Sequence, residues 1–252
     1  MSEKIILVTN DDGVHSEGLI ALKRSLSTLG RVVIVAPHHQ RSGTSHALTT
    51  DVPVRIKEIE KDFYSVSGYP ADCVYAALYS LLPKKPDLTV SGINYGANMG
   101  IDVHYSGTVA GIREAVMDGV SGFAISLVID SNKKEFYWQD AADYARTVAE
   151  KMLLTTYKKD GFLNINYPNL PKSEIKGVQI TKTGERRYLK EVKTGKDPRG
   201  KDYYWLWGNY NDFAPIDGTD CKSVSDGYIS VTPIVIDVTD YKMIDELKDW
   251  NL

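Results

Sequence analysis

The stretch Ile5-Ile6-Leu7-Val8-Thr9-Asn10-Asp11-Asp12-Gly13 decides the fold. Its first four residues are apolar, rich in β-branching and free of alternation, the pattern of a parallel strand buried on both faces. The run ends in two adjacent carboxylates and a glycine, where the chain must bend. In open α/β sheets, ligands bind just beyond the carboxyl ends of such strands, so a paired acidic site there points toward chemistry. Neighbouring carboxylates repel each other unless a cation or a shared proton lies between them. The first expectation is a metal. Because Asp-Asp-Gly after a strand is also ordinary turn chemistry, the pair needs support from elsewhere in the chain.

Outward from this stretch, strand-like and helix-like segments alternate, as in a parallel sheet covered by helices. Residues 18–29 carry apolar side chains at helical spacing and stop at Gly30. Residues 32–36 read as a second strand, 52–59 and 63–66 as a short β pair, 71–82 as a helix, and Leu88-Thr89-Val90 as a strand ending at Ser91-Gly92. A helix over 108–117, a strand over 123–129, an amphipathic helix over 138–155 and a strand at 163–165 complete an α/β core spanning residues 1–171. Beyond Lys172 the pattern turns β-rich, with strands at 178–180, 203–207 and 229–238, a charged arm or hairpin around 193–201, and a final helix over 243–250. Residues 172–252 are therefore expected to form a separate β-rich extension.

Bulk properties narrow the partners. The 252 residues are 42% hydrophobic and 25% charged, an ordinary globular composition. A net charge of −3 supplies no basic footprint for a nucleic-acid polymer. Cys73 and Cys221 form no Cys-x-x-Cys pair, which argues against a zinc site or a disulfide framework and for free thiols in a reducing cytoplasm. The sequence shows neither a signal-peptide pattern nor a long apolar run, so no membrane is expected.

Three polar motifs follow three predicted strands: Asp11-Asp12, Ser42-Gly43-Thr44-Ser45, and Ser91-Gly92-Ile93-Asn94. If these strands are neighbours, their carboxyl ends converge on one crevice. The donors there are carboxylate, hydroxyl and amide oxygens, a hard set suited to Mg²⁺ or Mn²⁺. The glycine-rich loop 94–100 and the helix opened by Tyr105-Ser106-Gly107-Thr108 form a candidate anion cradle. A metal beside an anion cradle suggests phosphate, since bare acids would repel the dianion.

Other residues receive plainer readings. His15 and His104 are candidate proton donors, and His38-His39 an exposed loop pair. Asp72 is expected to cap a helix. The aromatic run Tyr203, Tyr204, Trp205, Trp207 and Tyr210 reads mainly as interface, and the basic residues of 185–187 and 193–201 as a solvated face.

Taken together, NDDG (10–13), SGTS (42–45), SGINYGANMG (91–100) and YSGTVAGIREAV (105–116) closely resemble the SurE survival-protein family of metal-dependent 5'/3'-nucleotidases. The likeness continues in order through PADCVY (70–75), LNINYP (163–168), DPRG (197–200) and SVTPIVIDVT (230–239). The resemblance implies a Rossmann-like three-layer α/β/α core with a mainly parallel sheet, a C-terminal hairpin arm and helix, and C-terminal segments exchanged within a homodimer or homotetramer. It implies one divalent ion per subunit held by Asp11, Asp12, Ser42 and Asn94. Phosphate contacts fall on Asn98, Ser106, Gly107 and Thr108, with Asn10 lining the same pocket. The implied reaction is attack on a nucleoside monophosphate by a metal-activated water, with Asp11 or Asp12 as the alternative nucleophile. Two rivals stand beside it. One is a serine hydrolase, because Gly43-Thr44-Ser45-His46-Ala47 approximates a nucleophile elbow with His104 as base. The other is a non-catalytic nucleotide-binding module.

Overall fold

The computed structural model describes residues 3–129, 134–155 and 160–250. Strands β1 (Ile5–Thr9), β2 (Arg31–Pro37), β3 (Ile56–Glu60), β4 (Phe63–Val66), β5 (Leu88–Tyr95), β6 (Gly122–Val128) and β7 (Gly161–Pro168) build most of one sheet. Helices α1 (Glu17–Leu26), α2 (Pro70–Ala76), α3 (Gly107–Met117) and α4 (Trp138–Leu154) connect them. Later come β8 (Val178–Ile180), β9 (Arg186–Lys196), β10 (Asp202–Phe213), α5 (Asp220–Ser225), β11 (Ile229–Val235) and α6 (Tyr241–Leu247).

The main sheet has the order β3-β4-β2-β1-β5-β6-β7-β11-β8. The strands from β4 through β7 are all parallel, while β3 and β11 run antiparallel to their neighbours β4 and β7. Successive side chains of a strand point to opposite faces, and β1 uses both. Ile6 and Val8 join α1 and α4 in one core layer, while Ile5 and Leu7 join α2 and α3 in the other. This makes a three-layer α/β/α fold, and it explains why Ile5 to Val8 show no polar alternation. On α1, Leu19, Leu22 and Leu26 are completely buried, each contributing about 1.5–3 kcal/mol of apolar burial.

Topology fixes where a site can form. From β1 the chain moves outward to β2 and β4, then returns to β5 on the other side of β1. The strand order thus reverses between β1 and β5, which opens a crevice at their carboxyl ends.

Several elements differ from expectation. The helix predicted for 71–82 is α2 followed by a wider π-type turn over Ala77–Leu81. Strand β5 does not stop at Ser91-Gly92 but continues to Tyr95, with a register shift against β6 between Ser91 and Asn94. Gly92, at φ +142°, permits that irregularity, since a Cβ there would lie 2.2 Å from the Ile125 carbonyl oxygen. The charged segment near 193–201 forms the end of β9 and the turn into β10, a two-stranded antiparallel arm. Strand β9 and helix α5 escaped the sequence reading, because β9 is charged and α5 has six residues. Within residues 172–252, only β9 and β10 leave the main sheet, whereas β8 and β11 extend it. Among the described residues, no helix is long and apolar enough to cross a membrane. Cys73 and Cys221 are free and buried, with burial raising both thiol pKa values.

Gly122 opens β6 directly beside Thr89, where a Cβ would meet the Thr89 carbonyl oxygen at 1.9 Å. Gly122→Ala should lower unfolding free energy by about 2–3 kcal/mol in urea titrations. Gly208→Ala, whose Cβ would meet only the Leu189 carbonyl oxygen at 3.6 Å, should change it by less than about 1 kcal/mol. Equal effects at the two positions would contradict the register.

Candidate active site

The bend after β1 is built by Asn10 and Gly13. The Asn10 side-chain amide donates to the Gly13 carbonyl (3.0 Å) and to Ser16 Oγ (2.7 Å), while its oxygen accepts from Gly13 N–H (3.2 Å). Gly13 sits at φ +98°, a conformation that favours glycine. Backbone hydrogen bonds then stitch this turn to the loop after β2, with Val14 N–H donating to the Pro37 carbonyl and Arg41 N–H to that of Asp11. Asn10 was expected to line the phosphate pocket. It is completely buried, and its amide closes the turn.

Asp11 is only 3% exposed and faces the start of α3. Thr108 Oγ1 donates to Asp11 Oδ1, and a Cβ on Gly107 would come within 2.9 Å of Asp11 Oδ2. Glycine at 107 therefore lets the helix end approach the carboxylate. Burial pushes the Asp11 carboxyl up to about 6, opposed by the Thr108 hydroxyl and reinforced by the charge of Asp12. Asp12 is half-buried, and Tyr95 N–H donates to its Oδ2 at 2.8 Å. Burial raises its pKa too, with the Tyr95 hydrogen bond pulling it down.

Asp11, Ser42, Asn94, Asn98 and Ser106 share one cleft of about 470 Å³. Asp12 opens onto a neighbouring recess, and Tyr95 borders both spaces. Asn94 Nδ2 donates to the Gly96 carbonyl (2.8 Å), which leaves its amide oxygen for a ligand. Ser42 Oγ accepts from Gln40 Nε2 at 2.9 Å. Ser106 caps α3 by accepting from Val109 N–H. Gly107 and Thr108 lie behind the cleft, against Asp11, rather than along its wall.

Asn98 is held by a buried amide network. Its N–H donates to Asn166 Oδ1 (2.9 Å) and its Nδ2 to Ser126 Oγ (2.9 Å), while its carbonyl accepts from Asn164 (2.8 Å) and Asn166 (3.0 Å). Asn164 and Asn166 stand two residues apart on β7, so both point to the same face. That spacing in LNINYP was the available signal for their role.

The sequence reading also missed the contribution of the hairpin. Tyr188 and Lys190 of β9 line the cleft, together with Asp102. Arg186, read as part of a solvated face, is largely buried and ion-paired with Asp102, and its guanidinium stacks 4.2 Å from the centre of the Tyr210 ring. Tyr188 Oη also donates to Asp102, at 2.7 Å. Arg186, Tyr188 and Lys190 follow a period of two, the strand signal hidden beneath the charge. The side chain of Trp207 lies outside the described set, while Tyr204, Trp205 and Leu206 are exposed on the same arm.

Asp72 behaves as a cap, accepting from Tyr69 N–H at 2.8 Å. Ser45, at φ +53°, donates its hydroxyl to the His104 backbone carbonyl and not to a histidine ring. His46 instead contacts Glu114 at 2.8 Å.

The family model "Survival protein SurE" matches residues 6–190. The chain belongs to the SurE family. It is 43% identical over 247 residues to a protein of Geobacter sulfurreducens named 5'-nucleotidase SurE, covering 98% of this chain and 94% of that one. A Syntrophotalea carbinolica protein of the same name is 45% identical over 248 residues, covering 98% of each. The crystal structure of the SurE protein from Aquifex aeolicus superposes with a TM-score of 0.86 at 40% identity, covering 98% of this chain and all of that one. The α/β architecture described above is therefore the family fold.

The raised pKa of Asp11 has a stability consequence for the chain. The folded carboxyl holds its proton to about pH 6, against an ordinary value of 3.8. Stability from this group is complete below that ordinary value and is lost as pH rises to about 6, by about 2–3 kcal/mol. Asp11→Asn should remove most of this decline in chelator-treated protein and raise stability at pH 7 by about 1–3 kcal/mol. A variant with the same pH slope as the parent would contradict the assignment.

Proposed function

We propose that this chain is a divalent-metal-dependent phosphomonoesterase that hydrolyses nucleoside 5'-monophosphates, and 3'-monophosphates, to nucleoside and phosphate. The observation that carries the reading is the adjacent pair Asp11 and Asp12 at the β1/β5 switch point, bordered by a cleft that carries neutral oxygen donors. The names of the relatives, 5'-nucleotidase SurE, point the same way.

The donor set fits a hard cation. Neither Asp11 nor Asp12 has a cationic side-chain partner among the described residues, so their mutual repulsion lacks compensation from the chain itself. Among the described residues, no group of three or more His, Cys, Asp and Glu side chains could hold a metal. The set proposed to hold the ion is the two carboxylates with the Ser42 hydroxyl and the Asn94 amide oxygen. Such a site suits Mg²⁺ or Mn²⁺, one per subunit, each of which retains several waters. When bound, the cation supplies Lewis acidity toward water and toward phosphoryl oxygen.

The chain's own residues do the positioning. Asn98 and Ser106 face the phosphoryl group, and the amide network behind Asn98 keeps it from turning away. Gly107 and Thr108 act through Asp11, admitting the helix end and orienting the carboxylate. Asp12 is oriented by the Tyr95 N–H. Water is the nucleophile: a new P–O bond forms to its oxygen as it gives up a proton, and the P–O bond to the ribose oxygen breaks as that oxygen takes one up to leave as a hydroxyl. Uncatalysed phosphomonoester hydrolysis is slow enough to require accelerations approaching ~10²¹, which explains a site made of charge and fixed donors.

The working unit is a homodimer or homotetramer with C-terminal segments exchanged. Support comes from α6, which buries none of its residues, and from the arm, where Leu206 is 84% exposed.

Phosphate release from adenosine 5'-monophosphate should vanish with chelator and return with Mn²⁺ or Mg²⁺. Asp12→Asn should cut turnover by about 10²-fold or more with an unchanged unfolding curve. Chelator-resistant turnover, or near-parental activity in the variant, would refute the reading.

A further inference from the structure

Helix α4 and the sheet edge at β7, β8 and β11 enclose a cavity of about 410 Å³. It shares no lining residue with the spaces at Asp11 and Asp12. Along α4, Asp140, Asp143, Tyr144 and Thr147 recur at the spacing of one helix face, and all four line the cavity. Tyr167 of β7 and Ile229 of β11 line it from the sheet, and both are buried. Two phenols here lack partners. The ring centroids of Tyr144 and Tyr167 lie 6.2 Å apart, and burial pushes both hydroxyls up to about 12. Neither hydroxyl has a hydrogen bond among the described residues, although Tyr167 is only 1% exposed. Buried polar groups are normally satisfied, so a hydroxyl left open at a cavity calls for a ligand.

The lining also carries charge of both signs. Arg146 and Lys172 have no carboxylate partner among the described residues. Asp140 Oδ2 accepts from the Lys172 backbone N–H (2.9 Å), and Asp143 Oδ1 accepts from Ser25 Oγ (2.8 Å) and Gln139 Nε2 (3.0 Å). One oxygen of each carboxylate stays open. Two cations and two carboxylates beside an apolar wall match a molecule with one charge of each sign and an apolar side chain. We propose that this cavity binds a free α-amino acid with an aromatic or large aliphatic side chain. Its carboxylate accepts from the Arg146 guanidinium, whose fork fits a carboxylate, and from the Tyr167 hydroxyl. Its ammonium donates to Asp140 and Asp143, and its side chain lies against Tyr144, Ile175 and Val178. A simple carboxylic acid would leave both Asp charges facing an apolar group, and a simple amine would leave Arg146 unpaired.

Calorimetric titration of the full chain with L-phenylalanine tests the site, with phenylpropionate and phenethylamine as probes that lack the ammonium and the carboxylate. L-phenylalanine should bind the parent, and the other two should bind roughly tenfold more weakly or worse. Arg146→Gln should weaken L-phenylalanine roughly ten- to hundredfold, whereas Lys151→Gln, which removes an exposed cation further along α4, should not. Tyr167→Phe should weaken it roughly three- to tenfold without lowering the unfolding midpoint in urea, because the hydroxyl removed has no partner in the free chain. That combination separates recognition from a structural role, and it carries the test if Arg146→Gln does not fold. No binding of L-phenylalanine at millimolar concentration, equal affinity for phenylpropionate, or affinity unmoved by the Arg146 and Tyr167 substitutions would overturn the site.

Discussion

The structure turns on one close approach: the start of α3 against the buried Asp11 carboxylate. A carboxylate so enclosed is costly unless its charge is met by donors or a cation. Thr108 supplies a hydroxyl donor, and Gly107 supplies the room. The rest of the local architecture serves this contact. Asn10 and Gly13 turn the chain at the end of β1, and Arg41 N–H ties the neighbouring loop to the Asp11 backbone. The residual cost is visible in the upward shift of the Asp11 pKa, caused chiefly by burial.

Around that contact the fold spends polar groups where a core would normally be apolar. Asn98, Ser126, Asn164 and Asn166 are buried together, and their mutual hydrogen bonds offset the desolvation. A second brace comes from Asp220, whose carboxylate accepts from the N–H groups of Gly100 and Gly184, fixing the cleft loop to the root of the hairpin. The pairing of Asp102 with Arg186 and Tyr188 then brings β9 and Lys190 to the cleft. The pocket is thus a product of the sheet and the arm together.

Much of this was legible in residue order. The non-alternating Ile5 to Val8 run revealed a strand buried on both faces, and the parallel sheet followed. The convergence of Asp11, Ser42 and Asn94 followed from strand ends alone, although β5 runs further than its turn-like Ser-Gly step suggested. What stayed hidden depends on pairing at a distance. The bond from the Asn10 amide to Ser16 was not legible in the sequence, because it forms only once the chain has turned at Gly13. Arg186 looked solvated because its partner lies 84 residues away, and the alternation of β9 was masked by charge.

The central claim is that the end of β1 is built to hold one divalent cation. Electron paramagnetic resonance of Mn²⁺ titrated into the purified chain tests this directly, because free and bound ion give separable signals. The account predicts one bound Mn²⁺ per chain, lost in Asp11→Asn and Asp12→Asn and retained in Asp102→Asn, where the carboxylate is already occupied by Arg186. Absence of binding in the parent, or stoichiometric binding that survives both substitutions at the end of β1, would contradict it.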